Sequence, residues 1–252
     1  MKEQKKYAIT VIAGLLTIII SSIILFSSGS YAVYTANTAK RKLPVYGVGR
    51  DDGALSVSFD CAWGTDYTDK ILDTLDFYNV KATFFVVQFW AENYPDYLKK
   101  IVERGHEVGT HSKTHPKMSK LSAEAIEEEL KSSVAAIENV TGQKVKLFRP
   151  PFGDYDDKVI TAAENLGLYT IQWNVDSLDW KNLSAEQIAA RVIKKAGSGS
   201  IILMHNNGLH TAESLPLIFT ATQQKGFVYR PIGELIYTDD FRITPDGTQI
   251  KN

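Results

Sequence analysis

Cysteine is almost missing from this chain of 252 residues: Cys61 is the only one. No intrachain disulfide can form, and a lone thiol is either a buried, inert group or one that binds metal or reacts. A charge of one sign is missing too. Lys and Arg number 28 against 29 Asp and Glu, a net charge of −1, so nothing electrostatic argues for nucleic acid as a partner. There are no acidic or basic runs of the kind that form interaction tails, and no internal repeat. What remains is an ordinary globular balance, 44% hydrophobic and 23% charged, long enough to bury a substantial core as one domain.

The N-terminus departs from that balance. Lys2, Lys5 and Lys6 precede an uncharged apolar stretch from Tyr7 to Phe26, which as a helix is long enough to cross a hydrocarbon core of roughly 30 Å. Residues 1–6 read as a cytoplasmic tail and 7–26 as an uncleaved, single-pass transmembrane signal-anchor, with the body of the chain extracytoplasmic. A cleaved signal is the alternative, with small-residue sites around Ser30-Tyr31-Ala32 and Thr35-Ala36. Lys40, Arg41 and Lys42 on the far side weigh against the basic tail in setting orientation. Residues 27–50, small and then basic with Pro44, read as a linker. The folded body is expected over 51–240, followed by a frayed polar tail, 241–252.

Within the body, strand and helix patterns alternate. Ala54 to Asp60 alternates like a strand and is stopped by Ala62-Trp63-Gly64. Helical spacing runs from Tyr67 to Tyr78, and Lys81 to Val87 is a buried-strand candidate. Tyr94 to Arg104 is helical again. Two further helices start from Leu-Ser-Ala-Glu, where Ser122 and Ser184 are N-caps and Gln187 completes a capping box. Strands are expected at Val145–Phe148, Tyr169–Trp173 and Ser200–Met204. Glu213–Gln224 and Pro231–Tyr237 are helical, with Phe227–Tyr229 between them. Repeated strand–helix units imply an α/β fold on a parallel sheet, open or closed into a barrel.

At or just after the strand ends lie the residues that could carry chemistry. His111 and His115 are four apart, and on a helical turn both imidazoles would share one face and could share a metal; two unrelated histidines give the same spacing. Asp60 ends an apolar strand, an expensive place for a carboxylate unless it is paired, functional or capping a turn. Arg149 precedes the rigid Pro150-Pro151 and is either a surface residue or a guanidinium held to orient a carboxylate. His205 ends Ile201-Ile202-Leu203-Met204 and is either a satisfied core histidine or a group delivered to a site. Such residues at the C-terminal ends of parallel strands stand where a barrel places its active face.

In this order and context, SFDCAWG, HSKTH, RPPFG, DSLDW and LMH resemble the polysaccharide deacetylases with the NodB-homology domain, carbohydrate esterase family four. The resemblance spans Ala54 to Tyr237, and FDxxWG with GSIILMHNN is similar to a membrane-anchored, sporulation-associated subgroup. It implies a deformed (β/α) barrel and metal-dependent N-deacetylation of an amino-sugar polymer such as peptidoglycan or a chitin-like chain. A divalent metal, zinc first and otherwise cobalt, nickel or manganese, would be held by His111, His115 and an aspartate following the catalytic one. Asp60 would be the general base, positioned by Arg149. His205, tuned by Asp179, would protonate the leaving amine. The Phe152 backbone N–H would donate to the oxyanion, while Trp180 and Leu203 would wall the acetyl pocket.

Two residues depart from that pattern. Cys61 stands where the metal-binding aspartate is expected. It could ligate as thiolate, leave the metal to two histidines and water, or mark a site without useful metal; it could also be a small buried hydrophobe. Phe152 replaces a tyrosine, which removes a hydroxyl and leaves the backbone donor. A catalytically impaired glycan-binding protein is therefore the alternative to an enzyme.

Overall fold

The structure, a computed structural model, describes residues 41–252. The signal-anchor expected at 7–26 and most of the expected linker lie outside the described residues. Among the described residues, no helix is long and apolar enough to cross a membrane.

Strand β2 (Ala54–Cys61) organises the rest. All eight of its residues are buried, as befits a central strand covered on both faces. Around it come β1 (Gly47–Val48), α1 (Thr68–Phe77), β3 (Thr83–Val86), α2 (Gln88–Asn93), α3 (Pro95–Glu103), β4 (Glu107–Thr110), α4 (Ala123–Thr141) and β5 (Leu147–Phe148). The chain continues through α5 (Asp157–Asn165), β6 (Tyr169–Thr170), β7 (Val175–Asp176), α6 (Ala185–Lys195), β8 (Ile201–His205), α7 (Thr211–Gln224), β9 (Val228–Tyr229) and α8 (Ile232–Leu235). A terminal hairpin follows, β10 (Phe241–Ile243) and β11 (Thr248–Lys251).

The main sheet runs β6-β5-β4-β3-β2-β8-β7, parallel throughout, with β9 beside the start of β2. Helices between successive strands make those crossovers possible. Among the described residues β6 and β7 do not pair with each other, so the curled sheet stays open at that seam. Only Ile171 to Asn174 separate the two edge strands. This is a deformed, unclosed (β/α) barrel of the expected class.

Side-chain alternation along the strands sorts the core into two layers. Leu55, Val57, Phe59 and Cys61 join Phe84, Val86, Ile202 and Met204 in the layer packed under the helices. The opposite face of the same strands carries Ala54, Phe85, Leu147 and Ile201, together with Ser56, Ser58, Asp60 and, just past β5, Arg149. The polar residues of the site belong to this second, inner face.

Both expected ends of the folded body are corrected. The folded unit begins at Lys42 rather than near Asp51. Val45 and Val48 are buried, and Val45 bridges Ile171 across the open edge of the sheet. The tail is not frayed either: β10 pairs with β11, and β11 runs parallel to β1. Gln249 is fully buried and exchanges hydrogen bonds with the Tyr237 backbone. Short strands with few apolar residues carry a weak periodic signal, and this one is stabilised by partners distant in sequence. The two serine N-caps stand as expected, with Ser122 accepting from Ala125 N–H and a full capping box at Ser184–Gln187.

Candidate active site

Asp60 and His205 are register partners on adjacent strands β2 and β8, which places the two groups side by side at the C-terminal edge of the sheet. The Asp60 carboxylate is almost wholly buried. Its Oδ1 accepts from Arg149 Nη1 at 2.8 Å, and its Oδ2 lies 3.5 Å from His111 Nε2. Arg149 is fully buried beneath it. There Nη2 donates to Ser58 Oγ at 2.8 Å and to the Gln172 carbonyl at 3.2 Å. The guanidinium also lies against the face of Phe85, 4.1 Å from its centroid. Burial is the largest influence on Asp60 and pushes its pKa up. The charges of Arg149, His111 and His205, with the Arg149 hydrogen bond, nonetheless hold it below the usual carboxylate value.

His205 has a matching support. Its Nδ1 donates to Asp179 Oδ1 at 2.8 Å, and its backbone N–H donates to Oδ2 at 2.7 Å. Thr211 Oγ1 donates to the same Oδ2 at 2.6 Å. Asp179 is fully buried, and these donors satisfy its negative charge. A β-carbon at Gly208 would come within 2.2 Å of Thr211 Oγ1 and 3.1 Å of Asp179 Oδ2, so the loop after β8 can close over this carboxylate only with glycine there. Burial, again the largest influence, opposes protonation of His205. The Asp179 hydrogen bond and charge, then Asp60, carry its pKa above the usual histidine value.

The HSKTH segment is not a helical turn. It is a loop after β4, with Ser112 at φ 73° and His115 at φ 59°, pinned from behind by buried Glu129. The Glu129 carboxylate accepts from the backbone N–H of Lys113 and Thr114 and from Thr114 Oγ1. The loop brings the two imidazoles edge to face, 4.9 Å between centroids. His111 Nδ1 lies 2.7 Å from the Arg149 carbonyl. A carbonyl only accepts, so Nδ1 carries the proton and the Nε2 lone pair faces Asp60. Burial lowers the pKa of both imidazoles: for His111 against the pull of Asp60, and for His115, with the charge of His111 added, to about 4. Phe152 packs against His115 at 4.5 Å with its own backbone at φ 58°.

Cys61 is not part of the site. Adjacent strand residues point to opposite faces, so Asp60 in the cleft places Cys61 in the layer under the helices. It is fully buried there among apolar side chains, with one weak polar contact, Sγ to the Phe59 carbonyl at 3.8 Å. Burial, and then the charge of Asp60, raise its pKa well above the ordinary thiol value. Among the described residues no three His, Cys, Asp or Glu side chains converge so as to hold a metal ion. The implied ligand set is therefore not assembled: His111 and His115 stand together without Cys61.

A cleft of about 950 Å³ opens over these groups. Asp60, His111, His115, Phe152, Leu203 and His205 line it, as does Trp180, which is more than half exposed. Sequence reasoning missed the residues that hold the site in place, Ser58, Gln172, Thr211 and Glu129, and part of the lining, Trp63, Asp66, Asp176 and Asn207. For Glu129 a signal existed, since it falls on the buried stripe of α4 with Ile126, Leu130, Ser133 and Ile137. Strain collects here as well. Among the described residues, five of the seven non-glycine residues with positive φ (Ser112, His115, Phe152, Leu178 and Asn182) lie in loops around the cleft, where such conformations are held by their surroundings.

A family model described as polysaccharide deacetylase matches residues 47–171. A solved CE4 family pseudoenzyme from Bacillus anthracis is 36% identical with a TM-score of 0.74; the match covers 76% of this chain and 68% of that one. The chain belongs to the polysaccharide deacetylase family. Among curated relatives, the uncharacterised protein YlxY of Bacillus subtilis is 37% identical over 77% of this chain and 60% of its own length. Peptidoglycan-N-acetylglucosamine deacetylase PgdA of Listeria monocytogenes is 34% identical over 77% of this chain and 41% of its own. The chain thus spans about half the length of these two relatives. A mutant of the B. anthracis pseudoenzyme with restored enzymatic activity has also been solved, 37% identical to this chain.

Proposed function

We propose that the chain hydrolyses N-acetyl groups from the amino sugars of a cell-wall polysaccharide. The observation that carries this is the matched acid and base: Asp60, ionised and held by Arg149, stands beside His205, kept protonatable by Asp179. A protein that only bound glycan would have no use for two oppositely tuned groups at adjacent strand ends. Asp60 takes a proton from the attacking water, and Arg149 keeps its carboxylate aimed and charged. His205 gives a proton from Nε2 to the sugar nitrogen as the C–N bond breaks. The Phe152 backbone N–H donates to the oxygen that becomes negative, while Leu203 and Trp180 enclose the acetyl methyl. Family deacetylases use a divalent metal to polarise the carbonyl. Among the described residues the side chains offer His111 and His115 for it but no third partner, so each step is assigned to the protein's own groups.

The test is acetate release from N-acetylated wall glycan by the purified full-length chain, with and without added zinc, cobalt, nickel or manganese. Release that Asp60→Asn abolishes is the expected result. No release from several wall glycans under any metal would overturn it.

One observation favours a second reading, a glycan-binding protein with an incomplete metal site: Cys61 lies in the core where the family has a ligand. Binding of the same glycans without acetate release would establish it. We also infer that the segment 7–26 anchors the chain in a membrane with the folded body outside the cytoplasm. The family resemblance further supports a role in sporulation. Protease accessibility on intact and permeabilised cells tests the first. Glycan composition of spores lacking the chain tests the second.

A further inference from the structure

Among the described residues, a sugar chain entering the cleft meets aromatic faces, carboxylates and the histidines of the site but no lysine or arginine. Trp63, Phe152 and Trp180 stand more than half exposed around it, flat apolar surfaces on which pyranose rings can rest. Trp63 lies against His115, 5.0 Å between centroids, so this surface begins beside the reacting groups. Two carboxylates besides Asp60 line the cleft, Asp66 and Asp176. Asp60 is neutralised by Arg149; among the described residues these two have no cationic side chain paired with them across the cleft. Asp176 is the register partner of Leu203 on the β7 side of β8. Asp66 belongs to the loop that follows β2, on the other side of β8, where its Oδ2 and Asn207 Nδ2 would both crowd a β-carbon at Gly64. The two therefore border His205 from opposite sides.

Among the described residues no lysine or arginine lines the cleft. Two cations beside lining residues are engaged elsewhere. Lys181 Nζ rests on the Trp180 ring at 4.9 Å, and Arg191 Nε donates to the main-chain carbonyl of Asp176 at 2.7 Å.

We infer that Asp66 and Asp176 make the cleft select its glycan by charge, a conclusion that rests on the glycan-hydrolysing or glycan-binding reading above. Uncharged N-acetylhexosamine chains are accepted. A neighbouring sugar that already carries a free ammonium is accepted as well or better, so partly deacetylated chains remain ligands. A sugar bearing a carboxylate on O3, such as a muramic residue freed of its peptide, is disfavoured by like-charge repulsion and by the lack of a lysine or arginine among the lining residues to receive it.

The experiment is calorimetric titration of the full-length chain carrying Asp60→Asn, which prevents turnover during the measurement. Three tetrasaccharides serve as ligands: all N-acetylglucosamine, the same chain with one acetyl group removed, and a peptide-free alternating N-acetylglucosamine–N-acetylmuramic acid chain. At low ionic strength the anionic chain is expected to bind about fivefold more weakly than the uncharged one, and the cationic chain as tightly or up to about threefold tighter. High salt should compress these differences. So should the added pair Asp66→Asn and Asp176→Asn, chosen because asparagine keeps the acceptor that Asp176 offers to Leu178 N–H. Equal or tighter binding of the anionic chain overturns the inference. So does a preference that neither salt nor the double substitution alters, which would assign it to the bulk of the lactyl group. If none of the three chains binds, it is the glycan reading that falls.

Discussion

On one side of the cleft Asp60 and His205 each rest on a fully buried partner, Arg149 and Asp179, and both carboxylate oxygens of Asp179 have donors. On the other side His111 and His115 are held as firmly, by the Arg149 carbonyl and by Glu129 behind the loop, yet among the described residues they converge with no third ligand. The two sides share β2 as their common wall. Asp60 and Cys61 are consecutive on it, and one faces the cleft while the other faces the core. Support and ligation are thus separable: the loop geometry that presents a pair of imidazoles does not depend on a complete metal site.

The largest effects are expected on the acid–base side. Arg149→Met leaves the Asp60 carboxylate buried without its partner, and loss of one member of a buried ion pair costs about 3–5 kcal/mol. Denaturant unfolding should show that loss, and the Asp60 pKa should rise because its main charge partner is gone. Unchanged stability would mean that the apparent pairing of Arg149 and Asp60 contributes nothing, and the contrast between the two sides would collapse.

Asp179→Asn removes the charge that holds His205 while preserving its shape, and losses of about 10²–10⁴ in turnover are typical of such positioning changes. Its signature is a pH profile. With Asp179 present, the His205 pKa is raised above the usual histidine value, so the protonated acid persists to higher pH than in a free imidazole and activity falls on the alkaline side. The asparagine variant should move that limb to lower pH. Stability follows the same sign. A folded pKa raised above the unfolded value stabilises fully below pH 6.5, and that contribution disappears as pH rises through the folded value. The asparagine variant should lose this dependence. His115 runs the other way: with a folded pKa of about 4, its contribution is complete above pH 6.5 and is lost as pH falls toward 4.

Much of the acid–base side was legible because Asp60, Arg149 and His205 each sit at the end of an apolar strand or beside a proline turn, where local pattern and chemistry coincide, whereas the role of Asp179 came only from the family resemblance. The N-caps Ser122 and Ser184 were legible for the same local reason. Less legible were the supports: Ser58, Gln172 and Thr211 act through partners between 19 and 144 residues away, and an isolated serine or glutamine carries no trace of that. The strands β1, β10 and β11 escaped notice because their stabilisation is long-range pairing rather than periodic apolar content. Cys61 is different, because its orientation followed from strand alternation alone. If Asp60 faces a cleft from a straight strand, Cys61 does not, and the family motif concealed this by suggesting that both positions meet one ion.

The histidine side is tested by two substitutions at that position. Cys61→Asp puts a carboxylate among Phe59, Phe84 and the other residues of the layer under the helices, where burial without a partner is expected to cost about 3 kcal/mol or more. Cys61→Ala removes one sulfur from a packed layer and should cost about 1–2 kcal/mol, the range for small core truncations. Because the thiol faces away from the imidazoles, Cys61→Ala should leave the affinity of the chain for zinc, read by calorimetric titration, unchanged. A large fall in affinity would show that Sγ reaches His111 and His115 in solution and that the strand end turns to allow it. If zinc instead restores the stability lost in Cys61→Asp, the strand end can turn when a better ligand is supplied. The difference between the two sides of the cleft would then lie in the identity of one side chain rather than in the course of the backbone.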